Sequence, residues 1–258
     1  MAALLLLSPY PAPAQGAIFL PTAGGNVLLS LPASGVAPVP VVLILPDQLG
    51  ADGRERPYAE RLLEGGIAVL TVEMEGTEAA ALLRNSPWLR DIVRRIAPGR
   101  LDGSRIGLLG FGGGGRAALS APADLPVAAL YPSCAGLTSL GRTAPALVLH
   151  PDDPAETVAC RHLAPLAEVL EGAAHGWDHG QGPWANTTSM MPHPDGSGAR
   201  IPARGDHWAT EEAAGRVLRH FTAFFGRGTV PVRPSEGPFH AAAGPEVGIP
   251  AGAVRPRR

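Results

Sequence analysis

The segment Arg105–Leu119, RIGLLGFGGGGRAAL, crowds glycines into a strand, a turn and a helix, and two chemistries compete for it. Read as G-x-G-x-x-G, Gly110, Gly112 and Gly115 would cradle a pyrophosphate at a helix N-terminus, and the chain would be a nucleotide-binding protein. That motif normally follows the first strand of its domain and is answered by an acid about 20 positions on. Here several apolar strands precede it, and the next one, Val127 to Tyr131, ends in Pro-Ser-Cys without an acid. Read as the strand-turn-helix elbow G-x-S-x-G, the register is Gly110, Phe111, position 112, Gly113, Gly114. The turn is expected, but the attacking hydroxyl is missing. Glycine has no side chain with which to attack a carbonyl, so covalent acyl transfer cannot begin at Gly112. A glycine turn kept only for close helix packing accounts for the same residues.

Other chemistry-bearing side chains gather further along. Asp152 and Asp153 end the apolar run Ala146 to His150, where open α/β sheets place ligand groups. A helix N-cap is the structural alternative for this pair. His175 follows the last short strand and precedes Gly-Trp-Asp, a position suited to a general base. His179, His193 and His207 stand alone, lack metal-ligand spacing and read as surface residues. Cys134 and Cys160 are too far apart for a zinc or redox motif; by themselves they could be one disulfide or two buried thiols. Cys134, or Ser133 beside it, could also attack a carbonyl, but Cys134 would have to be a thiolate near His175. No metal and no organic cofactor is implied.

The elements that must hold these residues alternate along the chain. Asn26 to Leu31 reads as an edge strand, in a hairpin with Ala17 to Leu20 across a Pro/Gly turn. Val41 to Leu45 is a continuous apolar run between prolines, as expected for a strand buried on both faces of a parallel sheet. Pro57 to Gly65 reads as a helix and Ile67 to Val72 as the next strand; Glu75 to Ala97 is helical material interrupted at Pro87. Strands follow at Ile106 to Leu109, Val127 to Tyr131, Ala146 to His150 and Glu168 to Leu170, with helices at Arg116 to Ala121, Thr157 to Ala167 and Glu211 to Phe225. This is an α/β pattern, a mostly parallel sheet with helices on both faces, with Ile44, Leu70, Leu108 and Leu149 in its centre. Gly172 to His207 reads as a long Gly/Pro-rich loop.

The 258 residues are organised as a candidate signal peptide over 1–14, one domain over 15–226 and a Gly/Pro/Arg-rich disordered tail over 227–258. The apolar run Ala2 to Leu7 followed by Ala12-Pro13-Ala14 points to export, hence a periplasmic or secreted location. No other stretch approaches the roughly 20 apolar residues of a membrane span. The net charge is −2 and the arginines are scattered, which argues against a nucleic-acid partner.

The run PVVLILPDQLGADGRERPYAERLLEGGIAVLTVE resembles the first βαβ unit of dienelactone hydrolase-like proteins of the α/β-hydrolase fold. The similarity resumes at RIGLLGFGGGG, VAALYPSCAG, LVLHPDDPAETVAC and GAAHGWD, in that family's order, and covers roughly residues 38 to 180. The resemblance implies hydrolysis of a small carboxylic ester or lactone. It puts the nucleophile at Gly112, the acid at Asp152 with Asp153 as alternative, and the base at His175, in the chain order such enzymes use. It further implies an oxyanion hole from the backbone N–H groups of Gln48 and Gly113, a pocket including Asp47, Phe111 and Trp177, and a Cys134–Cys160 disulfide. The sequence departs from the pattern at Gly112, at Pro46 where many relatives have His, and at Glu156 where Pro usually follows the acid. The expectation is an ester or lactone hydrolase of weak or lost activity; the alternative is a non-catalytic homologue that binds the small molecule.

Overall fold

The computed structural model describes residues 26–33, 38–73, 83, 86–137, 141–163, 166–180 and 188–226. The order of elements is β1 (Asn26–Ser30), β2 (Val39–Leu45), α1 (Arg56–Glu64), β3 (Ala68–Glu73), α2 (Ser86–Ile96), β4 (Leu101–Phe111), α3 (Gly113–Leu119) and β5 (Val127–Leu130). Then come β6 (Ala146–Pro151), α4 (Pro154–Cys160), β7 (Ala167–Leu170), β8 (Thr188–Pro192), β9 (Arg200–Arg204) and α5 (His207–Phe225).

Seven strands form one sheet in the order β1-β3-β2-β4-β5-β6-β7. All neighbours are parallel except β1, which closes one edge antiparallel to β3. Side chains alternate across the pleat, and both faces are covered, so the central strands have no polar face to show. Val41, Leu43, Leu45, Leu70, Leu108 and Val148 point to the layer of α2 and α3. Val42, Ile44, Val69, Leu109, Leu130 and Leu149 point to α1 and α5. Leu43 pairs with both Leu70 and Leu108, so Ile44, Leu70, Leu108 and Leu149 lie in one sheet as expected. Fully burying each such side chain contributes about 1.5–3 kcal/mol. α5 presents Ala213, Ala214, Val217, Phe221 and Phe225 to the sheet and leaves Phe224 exposed.

Several boundaries differ from the sequence reading. Pro87 does not interrupt a helix but sits in the first turn of α2, where its missing N–H has no intrahelical partner to lose. α3 begins at Gly113, three residues before Arg116, because the glycine turn itself winds into the helix. The helix expected to reach Ala167 stops at Cys160 and ends in a 3₁₀ turn, Arg161–Leu163, while Ala167 opens β7. Gly172 to His207 is not all loop: β8 and β9 pair as an antiparallel hairpin apart from the main sheet. Ala17 to Leu20, the candidate signal peptide and the tail lie outside the described residues. Among the described residues no helix is long and apolar enough to cross a membrane.

Candidate functional site

The glycine turn is built at the C-terminal end of β4, in the middle of the sheet. Gly112 has φ 49° and ψ −115°, a conformation that L side chains rarely adopt. Its N–H donates to the Leu130 carbonyl (2.9 Å), and its carbonyl accepts from Arg116 N–H (3.1 Å), which starts α3. Two residues on, a Cβ at Gly114 would stand 2.2 Å from the Pro46 carbonyl oxygen, so α3 can meet β2 this closely only through glycine. A Cβ built on Gly112 meets Asp47 Cβ at 3.2 Å, Gln48 Oε1 at 3.8 Å and Pro194 Cγ at 3.8 Å. The elbow thus has its shape, with β2's exit loop on one side and the β8–β9 turn on the other.

The two expected oxyanion-hole residues are adjacent. Gln48 lies across Gly113, where an added Cβ would fall 2.6 Å from the Gln48 amide nitrogen. That amide donates to the His193 carbonyl (3.1 Å), which ties the exit loop of β2 to the hairpin turn. The backbone N–H groups of Gln48 and Gly113 have no acceptor among the described residues. Asp47 accepts from Leu49 N–H (2.7 Å) and from the Arg54 guanidinium (2.6 Å), and both members of this ion pair are 3 % exposed. Arg54 also grips Asp52 through Nε (2.8 Å) and Nη2, and lies 3.5 Å from His179 Nδ1. Burial raises the pKa of Asp47 despite Arg54. Burial works against the Arg54 charge, but Tyr131, Asp52, Asp47 and Asp178 outweigh it and the pKa ends above its ordinary value.

His175 lies in the loop after β7, 5 % exposed, with its ring edge-on to Tyr131 at 4.9 Å. Burial, with the charges of His193 and Arg54, lowers its pKa to about 3, so the imidazole is neutral near pH 7. Asp152 does not reach it. The Asp152 main chain is close, donating to Ala173 O (2.8 Å), but its exposed carboxylate accepts from Gly172 N–H (3.0 Å). No hydrogen bond joins Asp152 to His175 among the described residues. Asp153 is the N-cap of α4, accepting from Glu156 N–H at 2.9 Å, so the helix-cap reading describes it.

Beneath these groups lies a buried polar layer. Phe111 and Trp177, expected in the pocket, are wholly enclosed. Phe111 packs edge-on to Tyr58 at 5.2 Å, and Trp177 Nε1–H donates to the Tyr58 hydroxyl (2.9 Å). Asp178 accepts from the hydroxyls of Tyr58 (2.9 Å) and Tyr131 (2.6 Å), and burial raises its pKa to about 6. Sequence reasoning missed Arg54, Tyr58, Tyr131 and Asp178 as a unit. The one local signal was an acid placed directly after an apolar Trp.

Cys134 and Cys160 form a disulfide, so neither is an available nucleophile. It pins a strained loop, in which Tyr131 (φ 39°) and Ser133 (φ 51°) both have left-handed backbones. Glu156, where the resemblance expected proline, accepts from the Ser133 hydroxyl (2.9 Å) and Cys134 N–H (3.2 Å) and completes the clamp. Of the three histidines read as surface, only His207 is exposed. His179 sits beside Arg54 and Asp52, and His193 Nδ1 lies 2.8 Å from Asp195 Oδ1 in the turn over the elbow. The hairpin, which the sequence reading missed, brings His193 there.

No family model matches the sequence, and no curated protein matches it. Solved structures do. A Klebsiella pneumoniae protein carrying the name dienelactone hydrolase superposes with a TM-score of 0.57 at 20 % identity, over 82 % of this chain and 99 % of that one. A dienelactone hydrolase-like promiscuous phosphotriesterase from metagenomic libraries gives 0.52 at 19 %, over 78 % and 92 %. The dienelactone hydrolase of Anabaena variabilis gives 0.52 at 17 %, over 82 % and 98 %. The likeness is one of fold: this chain has the α/β-hydrolase fold, in the arrangement found in dienelactone hydrolase-like proteins.

Proposed function

We propose that the protein receives a small carboxylic ester or lactone at the C-terminal end of the sheet and handles it without a covalent acyl-enzyme, so that turnover is slow or absent. The carrying observation is Gly112, which keeps the backbone of a nucleophile elbow and has nothing there to attack with. Two further features support the reading. The acid position, Asp152, holds Gly172 rather than His175, and His175 is a weak base with a pKa of about 3. The N–H groups of Gln48 and Gly113 remain as donors for a carbonyl oxygen. The ester or lactone class comes from the proteins of like fold, which are named as dienelactone hydrolases.

The test uses dihydrocoumarin, a neutral lactone, 2-tetralone, its non-hydrolysable carbocyclic analogue, and a fluorophosphonate. We expect 2-tetralone to bind by calorimetry and compete with dihydrocoumarin, and intact-mass measurement to find no phosphonyl adduct on the natural protein. A covalent adduct, or failure of both small molecules to bind, would overturn the reading.

A further inference from the structure

The turn between β8 and β9 carries a histidine and a carboxylate that nothing in the elbow motif calls for. His193 Nδ1 and Asp195 Oδ1 are 2.8 Å apart. An ionised carboxylate can only accept, so at this distance Nδ1 carries the hydrogen, and in the neutral imidazole it is Nε2 that keeps the lone pair. The Asp195 N–H also approaches Nδ1, at 3.4 Å, but that contact is longer and needs the opposite tautomer. Asp195 is itself fixed by Ser197 N–H at 2.9 Å. Hydrogen bonds from Ser197, and then His193, bring its pKa down to about 2, so it stays charged at any working pH. The turn that carries the pair is held over the elbow: the His193 carbonyl accepts from the Gln48 amide, and the neighbouring Pro194 stands 3.8 Å from where a Gly112 Cβ would be. The His193 side chain is 23 % exposed, half-buried but open to water.

We propose that His193, oriented by Asp195, is the general base for direct attack of water on a carbonyl held at Gly112. This rests on the reading of the site as an ester or lactone site. Glycine at 112 leaves unfilled the volume that a nucleophile's side chain would take, between Asp47, Gln48 and Pro194. His193 Nε2 takes a proton from water as the water oxygen bonds to the carbonyl carbon, and the Gln48 and Gly113 N–H groups hold the resulting oxyanion. Collapse breaks the bond to the alkoxy oxygen, which takes the proton back from His193. An acid and an alcohol leave, or a hydroxy acid from a lactone, and the protein is unchanged. Among the described residues, His175 interacts electrostatically with His193, and Arg116 of α3 with Asp195.

The experiment measures dihydrocoumarin hydrolysis by the full chain, by His193→Gln and by Asp195→Asn, with 2-tetralone binding and melting temperature recorded for each. General-base catalysis is worth roughly 10²–10⁴. We expect His193→Gln to lose at least tenfold in rate. Asp195→Asn should lose rate as well, and both variants should still bind 2-tetralone. His207→Gln, an exposed histidine away from the site, should keep the natural rate. A His193→Gln protein that binds 2-tetralone and hydrolyses at the natural rate would overturn the proposal, as would loss of the rate in a His175 variant alone. Absence of 2-tetralone binding in the natural protein would instead sink the ester-site reading beneath it.

Discussion

Replacing Gly112 by serine tests the elbow directly. A serine at φ 49° and ψ −115° is held in a sparsely populated region, a strain of about 1–3 kcal/mol. Its Cβ would stand 3.2 Å from Asp47 Cβ, tighter than ordinary contact, and Asp47 is held by Leu49 N–H and Arg54 and cannot easily withdraw. Its other two near neighbours, at 3.8 Å, are in normal contact. Gly112→Ser should therefore melt about 2–12 °C lower, taking roughly 2–4 °C per kcal/mol for a domain of this size. It should also react with a fluorophosphonate, in contrast to the result expected for the natural protein. Its ester turnover should rise at least tenfold and remain modest, because His175 is a weak base without Asp152 behind it. The assay is thermal denaturation followed by circular dichroism, with intact mass and ester hydrolysis on the same samples, and Gly112→Ser with His175→Ala as the comparison. A serine variant that melts at or above the natural protein would refute the strained elbow. One that folds but takes no phosphonyl group would show that position 112 does not face a reactive site.

Acid should weaken the protein through His175. Its folded pKa, about 3, lies below the ordinary 6.5, so the unfolded chain takes the proton first and stability is lost as pH falls from about 6.5 towards 3. Asp178, raised to about 6, acts in the opposite sense, stabilising below its ordinary 3.8 and losing that contribution as pH rises through 6. Denaturant titrations should therefore show His175→Gln losing about 1–2 kcal/mol less than the natural protein between pH 7 and pH 5, with Asp178 common to both; equal losses would contradict the buried neutral imidazole. The Cys134–Cys160 bond closes a separation of 26 residues, for which chain entropy gives about 3.5 kcal/mol. The double Cys→Ser variant should lose stability on that scale, and thiol titration of the unfolded, unreduced protein should find no free thiol.

The sheet was legible because its signal is local. A run such as Val41 to Leu45 is apolar at every position because both faces are covered, and no tertiary knowledge is needed to read it. The β8–β9 hairpin left no such mark. Its strands, TSMMP and RIPAR, bury only Met191 and Ala203, and each contains a proline, so alternation never develops. The elbow was readable for the same local reason as β2: strand, glycines and helix are contiguous. Asp178 was not, since its partners Tyr58 and Tyr131 stand 120 and 47 residues away. His193 read as a loop histidine because only the hairpin's fold-back brings its main chain to Gln48, beside the elbow.

The hairpin has a consequence for how such a protein can change. It is inserted between the last strand of the sheet and the last helix, and shares no ladder with the sheet. Among the described residues its hydrogen bonds to the rest of the domain include Arg204 N–H to the His175 carbonyl (3.1 Å), Asp206 N–H to the Trp177 carbonyl (2.6 Å), and the Gln48 amide to the His193 carbonyl. Two of these three are main chain to main chain and indifferent to side-chain identity. The roof over the elbow can therefore diverge in sequence, and with it whatever is admitted beneath, while the register of the seven strands is untouched. In this architecture, selectivity and scaffold are separately mutable, apart from Met191 and Ala203, whose buried side chains seat the hairpin.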